Sequence, residues 1–268
     1  MQYLPQQRFD HRVRYRLLLI GVCSFVLLLM WYLLSPRSAA KVQPIAEQPG
    51  SQTTAVTVAT VDKTPIALGE FQRALLRNRA RIYDYFYTTY GVHDSPSFWI
   101  SRYGSETPMS ALRALALEEC VRIKLQQMLA QQQGIIDDIS EAGFLQQLEQ
   151  ENRMRAERVQ SQQPIYGPLV YTDETYFTKH FADMVTASEQ QIAQDLAIND
   201  ADLEAFYRRA QAQNGASYQA AWAQPFDQVK EQVRILVVQQ EYARVIDKLR
   251  HSARVDIDHS VYDQTFVR

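Results

Sequence analysis

The chain begins with one long apolar run and continues as a series of amphipathic segments. Residues 17–34 are 18 consecutive positions without a charged side chain. A helix of about 20 apolar residues crosses the hydrocarbon core of a bilayer, and the run approaches that length. The pattern therefore predicts a single transmembrane helix over residues 17–34, preceded by a tail over residues 1–16.

Charges around the apolar run predict its orientation. The tail carries four arginines and one aspartate. Because positive charge stays on the cytoplasmic side, we expect a cytoplasmic N-terminus and an extracytoplasmic chain after Ser35, in a single-pass protein of the cell membrane. A cleaved signal peptide is the alternative, since Ser38, Ala39 and Ala40 are small. Cleaved signals have apolar cores of about 7–15 residues, which favours the uncleaved anchor.

Helical periodicity dominates the rest of the chain. Residues 35–54 lack apolar periodicity and are rich in Pro, Ser, Gln and Ala, which predicts a flexible tether. Residues 55–258 then form a mainly α-helical domain, followed by a C-terminal tail over residues 259–268. Capping residues and apolar spacing predict helices that start near six positions, namely Leu68, Pro108, Ser140, Thr172, Asn199 and Pro225.

Two short strands are predicted at opposite ends of this helical domain. Residues 55–62 alternate β-branched and small side chains before a turn at residues 63–65, and residues 254–258 form a similar short segment. An isolated strand leaves its backbone N–H and C=O groups without partners. We therefore expect the two strands to pair as a two-stranded sheet that brings the ends of the domain together.

Composition and charge exclude several classes of protein. Charged residues make up 22% and hydrophobic residues 46%, as in ordinary globular proteins. The net charge of −2 becomes more negative once the basic tail is set aside, which gives no electrostatic reason to bind nucleic acid. Cys120 is the one cysteine after the apolar run, and its helical apolar setting predicts a buried, inert thiol.

Motifs of catalysis and metal binding are absent from the sequence. It contains no GxSxG, HExxH or CxxC motif, and its histidines are scattered singly. We therefore expect no catalytic residues, no cofactor and no metal. The adjacent acidic pairs Glu118–Glu119 and Asp137–Asp138 are expected to be solvated charges, since neighbours on a helix point in different directions.

Three segments resemble a known class of protein. Residues 58–71, VATVDKTPIALGEF, are similar to the strand and helix that open the SurA/PrsA/PpiD class of extracytoplasmic foldases. Residues 199–207, NDADLEAFY, look like the acidic helix that follows the chaperone core in that class. Residues 225–249 and 253–257 resemble its closing helix and strand. The resemblance implies a SurA-N-like helical chaperone domain.

The same resemblance implies that the catalytic part of the class is missing. A parvulin prolyl-isomerase domain of roughly 90–100 residues, small among domains, usually lies between the acidic helix and the closing helix. Here that interval, residues 208–224, is only 17 residues long. The chain thus resembles the chaperone domain without the isomerase.

Aromatic side chains are the candidates for binding an unfolded polypeptide. Tyr83, Phe86, Tyr87 and Tyr90 recur on one helical face, and Phe98, Trp99 and Tyr103 follow shortly after. Tyr176, Phe177 and Phe181 form a second group near Tyr166 and Tyr171. Either group is interpreted as a core between helices or as an aromatic cleft that holds extended apolar segments.

The expected function is that of a membrane-anchored chaperone-like protein. It would bind unfolded or newly exported polypeptides without ATP, and it would contact lipid through residues 17–34. Two alternatives stay open: a peptidyl-prolyl isomerase homologue with residual activity, and a non-catalytic scaffold or regulatory module for one dedicated membrane partner.

Overall fold

The computed structural model describes residues 56–213 and 224–266, which together form a mainly helical fold with a small antiparallel sheet. The strands are β1 (Thr57–Val61), β2 (Thr64–Ala67) and β3 (Val255–Ile257). The helices are α1 (Leu68–Tyr90), α2 (Pro108–Gln132), α3 (Glu141–Gln160), α4 (Asp173–Asp195), α5 (Asp200–Gln213), α6 (Phe226–Ser252) and α7 (His259–Tyr262).

The predicted anchor and tether, residues 17–34 and 35–54, lie outside the described residues. Among the helices of residues 56–213 and 224–266, none has the length and apolarity needed to cross a bilayer.

The sheet joins the two ends of the described domain, but it has three strands where the sequence predicted two. The strand order is β2-β1-β3, and both pairings are antiparallel. The expected pairing between the first and last strands is confirmed, with Thr60 opposite Asp256. The expected turn at residues 63–65 is wrong: Asp62 and Lys63 form it with φ of 48° and 72°, so Thr64 and Pro65 belong to β2.

Helix boundaries follow the capping residues in the sequence. Gly91 ends α1 in the left-handed conformation at φ 66°. Thr107 accepts a hydrogen bond from the Ser110 N–H at 3.1 Å, with Pro108 as the first helical residue of α2. Ser140 accepts one from the Gly143 N–H at 3.0 Å at the start of α3. These starts and stops confirm the predictions.

The main core lies between the sheet, α1 and α2. Its fully buried side chains include Val58, Ile66, Phe71 and Leu112. Residues after β3 also pack here: the Tyr262 ring lies 5.5 Å from Phe71. The domain therefore continues past Asp258, and the described part of the expected tail at residues 259–268 belongs to it.

Two smaller clusters connect the later helices. Leu203 and Tyr207 of α5 pack on Val229 and Val233 of α6, while Ile192 of α4 packs on a more C-terminal part of α6. Near its C-terminal end α6 reaches the main core through Leu249. Helix α6 thus links the sheet region to the helices that form the cleft described below.

Candidate functional site

The first predicted aromatic group is largely a packed core. Phe86 and Phe98 are 0% exposed, and the Phe98 ring lies 5.4 Å from Tyr83 and 5.1 Å from Trp99. The Tyr103 ring lies 5.7 Å from Phe86. Because edge-to-face contacts of this kind fill the space between rings, Phe86 and Phe98 have no surface left with which to bind a polypeptide. The interpretation as an open aromatic cleft is wrong for these two residues.

Only the margin of this group faces solvent. Tyr87 and Tyr90 are exposed, whereas Tyr83, Trp99 and Tyr103 are partly buried against the core. The Tyr90 ring packs at 5.5 Å on Phe86. Tyr87 and Tyr90 therefore extend the core to the surface.

The second predicted group lies where α3 and α4 meet α1. Tyr176, Phe177 and Phe181 are partly buried, and Phe144 of α3 lies 5.6 Å from Tyr176. The Phe177 and Phe181 rings are stacked at 5.3 Å. The structure places these rings between helices, as the helix-core interpretation expected.

Two arginines of α1 hold α3 and α4 through charge and aromatic contact together. Arg73 forms a 2.5 Å ion pair with Glu141 of α3, and its guanidinium lies 4.7 Å from the Phe144 ring centroid. Arg77 pairs with Glu174 of α4 at 2.9 Å and lies 4.8 Å from the Phe177 ring. Planar guanidinium groups suit both partners, so each arginine joins α1 to another helix.

The acidic pair at Glu118 and Glu119 departs from the expectation of solvated charges. Glu119 accepts hydrogen bonds from Arg77 at 2.6 Å and from the Asn78 side chain, and Glu118 pairs with Arg250 at 2.7 Å. Cys120, next in sequence, is 4% exposed as expected. Burial raises the pKa of its thiol to about 12, which keeps it protonated and unreactive.

An open cleft lies between α4, α5 and α6. Its volume is about 920 Å³, within the range of about 300–1,000 Å³ common for ligand sites. The apolar side chains that line it are Leu196, Ala197, Ile198, Phe206, Val237 and Ala243. We call this feature the α4–α6 cleft.

Charged side chains accompany the apolar lining of the α4–α6 cleft, with acidic groups in excess. Four carboxylates and two guanidinium groups line it, namely Asp195, Asp202, Glu241, Asp247, Arg209 and Arg244. Arg244 pairs with Glu241 at 2.5 Å, and this hydrogen bond lowers the pKa of the Glu241 carboxyl. The cleft therefore combines an apolar lining with negative charge at neutral pH.

The sequence did not single out the cleft, although several of its residues were visible in the helical pattern. Phe206 and Val237 occupy apolar positions of α5 and α6, and they lie 31 positions apart in the chain. The periodicity of each helix identifies its own apolar face. It does not show that the apolar faces of two helices are separated by a cleft. Leu196 and Ile198 lie in the segment between α4 and α5. Apolar residues beside Asp195 in this segment were the one feature of the sequence that indicated the cleft.

Comparison with known proteins adds no relative. No protein-family model, curated protein or solved structure matches the chain. In the described ranges, no three His, Cys, Asp or Glu side chains cluster in a way that could hold a metal ion. Helix α5 ends at Gln213 and α6 begins at Phe226.

Proposed function

We propose that this protein is a membrane-anchored, extracytoplasmic chaperone that binds unfolded or newly exported polypeptides in the α4–α6 cleft without ATP. The observation that carries the proposal is the cleft itself, because it is open and has an apolar lining. An open, partly apolar surface can shield an exposed segment and release it again without an energy source.

The cleft also favours one kind of client segment. Its four carboxylates outnumber its two guanidinium groups, so a segment that combines apolar residues with lysine or arginine complements both its lining and its charge. Weak electrostatic attraction of this kind raises the rate of encounter while leaving release fast.

The arrangement of the domain agrees with the SurA-like resemblance in one respect. A strand that opens the domain pairs with a strand that closes it, and helices fill the sequence between them. The resemblance supports a chaperone domain of this class and supplies no isomerase, and membership of the class is part of the proposal.

Aggregation of a chemically denatured client tests the proposed function. The full chain is reconstituted in lipid nanodiscs, and light scattering is followed after the client is diluted from denaturant. Wild-type chain should suppress scattering at stoichiometric amounts. The Ala243→Arg variant should lose this effect, because a long charged side chain then occupies the cleft.

An exposed alanine of α1 provides the matched control. Ala80→Arg makes the same substitution on a helix outside the cleft and should suppress scattering as the wild type does. Wild-type chain that leaves scattering unchanged, while folded by circular dichroism, would overturn the proposal. Equal suppression by the Ala243→Arg variant would overturn the assignment of the cleft.

A further inference from the structure

We propose that the loop between α3 and α4 docks on the lipid surface of the membrane in which the chain is anchored. This inference rests on the anchor in the proposed function, and it concerns a surface distinct from the α4–α6 cleft. The surface, here called the hairpin tip, comprises residues 159–170.

The hairpin tip exposes an unusual concentration of apolar side chains. Tyr166 is 85% exposed, Val170 67%, Leu169 64% and Val159 48%. No charged residue occurs from Val159 to Thr172. Contiguous exposed apolar patches mark sites of interaction with proteins, membranes or ligands.

A buried arginine holds this loop in its conformation. Arg155 of α3 is 6% exposed, and its Nη1 donates hydrogen bonds to the carbonyl oxygens of Tyr166 at 3.1 Å and Pro168 at 2.6 Å. Its guanidinium also lies 4.4 Å from the Tyr171 ring centroid and pairs with Glu151 at 2.8 Å. Arg155 therefore holds the loop backbone while its own charge is balanced by Glu151.

A second side chain fixes the point where the loop meets α4. The Asn152 amide donates to the Tyr171 carbonyl at 2.9 Å and accepts from the Tyr171 N–H at 2.7 Å. The contacts of Arg155 and Asn152 involve the loop backbone or Tyr171. They do not bury the side chains of Tyr166, Leu169 or Val170. The fold thus orders the loop while leaving its apolar side chains outside, which lowers the entropy cost of binding.

The position of the hairpin tip is compatible with contact to the membrane. The Val56 carbonyl accepts a hydrogen bond from the Leu68 N–H at 2.7 Å, and the adjacent Gly69 lies beside the Glu141 carboxylate at the start of α3. Helix α3 has 20 residues and so extends about 30 Å from that point. The 21 residues between Leu34 and Val56 can span at most about 70 Å, so the tip can reach the bilayer that holds residues 17–34.

The chemistry of the hairpin tip favours a lipid surface as its occupant. Tyrosine prefers the headgroup region, where its ring is apolar and its hydroxyl is hydrated, and leucine and valine partition below it. A tether that already holds the domain near the bilayer raises the effective concentration of that surface, so three or four side chains suffice for contact.

Photocrosslinking of the full chain tests the contact. p-Benzoylphenylalanine is placed at position 166 in chain reconstituted into vesicles of phosphatidylcholine with phosphatidylglycerol, and adducts are identified by mass spectrometry. The same probe at position 85, an exposed tyrosine of α1, is the matched control. We expect a lipid adduct at position 166 and none at position 85.

A second test introduces a charged side chain at an exposed position of the hairpin tip, where the substitution does not alter the buried core. Leu169→Asp should abolish the lipid adduct at position 166, whereas Leu76→Asp, which alters an exposed leucine of α1, should leave it unchanged. Equal lipid adducts at positions 166 and 85, or adducts at 166 to polypeptide only, would overturn the inference.

The same vesicles separate this inference from the proposed anchor. If the full chain floats with the vesicles but gives no lipid adduct at position 166, the docking surface is wrong and the anchor stands. If the chain does not float with the vesicles, the anchor is wrong and the docking inference fails with it.

Discussion

The ammonium group of Lys124 lies 2.7 Å from a carboxylate oxygen of Glu70, in a pair where Lys124 is only 1% exposed. Lys124 also donates to the Ile139 carbonyl at 3.1 Å, and the second Glu70 oxygen accepts from the Ala67 N–H at 2.7 Å. One buried pair thereby links the end of β2, the start of α1, the middle of α2 and the segment before α3.

Removing one member of this pair should destabilise the domain strongly. Lys124→Met leaves the Glu70 carboxylate without its cation in a buried setting, and we expect the free energy of unfolding to fall by about 3 kcal/mol. Urea titration of the detergent-solubilised full chain, followed by circular dichroism, measures the change. The double variant Glu70→Gln/Lys124→Met should lose less, because no unpaired charge remains.

An exposed pair provides the control for this measurement. Lys179 and Asp183 form an ion pair at 2.6 Å with both side chains more than half exposed. Lys179→Met should change the free energy of unfolding by about 0.5 kcal/mol or less. A Lys124→Met variant no less stable than Lys179→Met would contradict the role of the buried pair.

The buried thiol predicts a loss of stability at alkaline pH. Burial raises the pKa of Cys120 to about 12, whereas a cysteine in the unfolded chain ionises near pH 9. As pH rises, the unfolded state therefore loses this proton before the folded state does. The contribution of the protonated Cys120 thiol to stability is complete below about pH 9 and decreases as pH rises toward 12. Cys120→Ala should flatten the fall of the free energy of unfolding over this window.

A second buried group titrates in the same direction. Burial also raises the pKa of Tyr242, whose hydroxyl donates to the Gln126 side chain at 2.9 Å. The free energy of unfolding of Cys120→Ala should therefore still fall somewhat at alkaline pH. In a Cys23→Ser background, Cys120 should resist iodoacetamide at pH 8 until denaturant is added. Rapid alkylation of the folded chain would show that the thiol is accessible.

Arg155 should control the order of the hairpin tip. Arg155→Lys replaces the planar guanidinium, which stacks on the Tyr171 ring while it donates to two carbonyl oxygens and to Glu151, by a compact ammonium that cannot keep all of these contacts. We expect faster hydrogen exchange in peptides covering residues 161–172, with α1 and α2 unchanged. Arg153→Lys, which alters an exposed pair with Glu149 on the same helix, should leave exchange of the tip as it is.

The turn between β1 and β2 offers a stabilising substitution. Lys63 has φ of 72°, a left-handed conformation that costs a residue with a side chain about 1 kcal/mol relative to glycine. Lys63→Gly should therefore raise the free energy of unfolding by about that amount in a urea titration. Lys179→Gly, within α4, should lower it by a similar amount. A loss of stability in Lys63→Gly would mean that the lysine side chain stabilises the turn.

Charge in the α4–α6 cleft should determine which peptides bind. Asp195→Asn/Asp202→Asn removes two carboxylates from the lining, and we expect about fivefold weaker binding of a cationic apolar peptide at low salt. Fluorescence anisotropy at two salt concentrations measures this effect, which should shrink as salt is added. Asp94→Asn/Asp137→Asn removes two exposed carboxylates elsewhere and should not change the affinity.

Local chemistry explains which parts of the fold could be predicted from the sequence. Gly91, Pro108 and Ser140 each act within one turn of a helix, and the helix boundaries they predicted are those of the structure. Strand β2 lacked such a signal, because its turn uses Asp62 and Lys63 where Asn-Gly would be typical.

Contacts between distant segments explain the remainder. Whether Phe86 faces a cleft or a core depends on Phe98 and Tyr103. These two residues lie in the segment after α1, and their rings pack against Phe86 of that helix. Likewise, Glu119 is paired because α1 places Arg77 beside it, which no pattern within α2 indicates. Helical periodicity identifies the apolar side of each element, whereas the partner of that side follows only from tertiary packing.

Strand β1 is the central strand of the sheet, with β2 on one side and β3 on the other. A mechanical pull on the N-terminal side of the domain would act first on this strand, and hydrogen bonds to both neighbours would share the load. The residues that line the α4–α6 cleft belong to none of the three strands, so a pull on β1 is not applied directly to them.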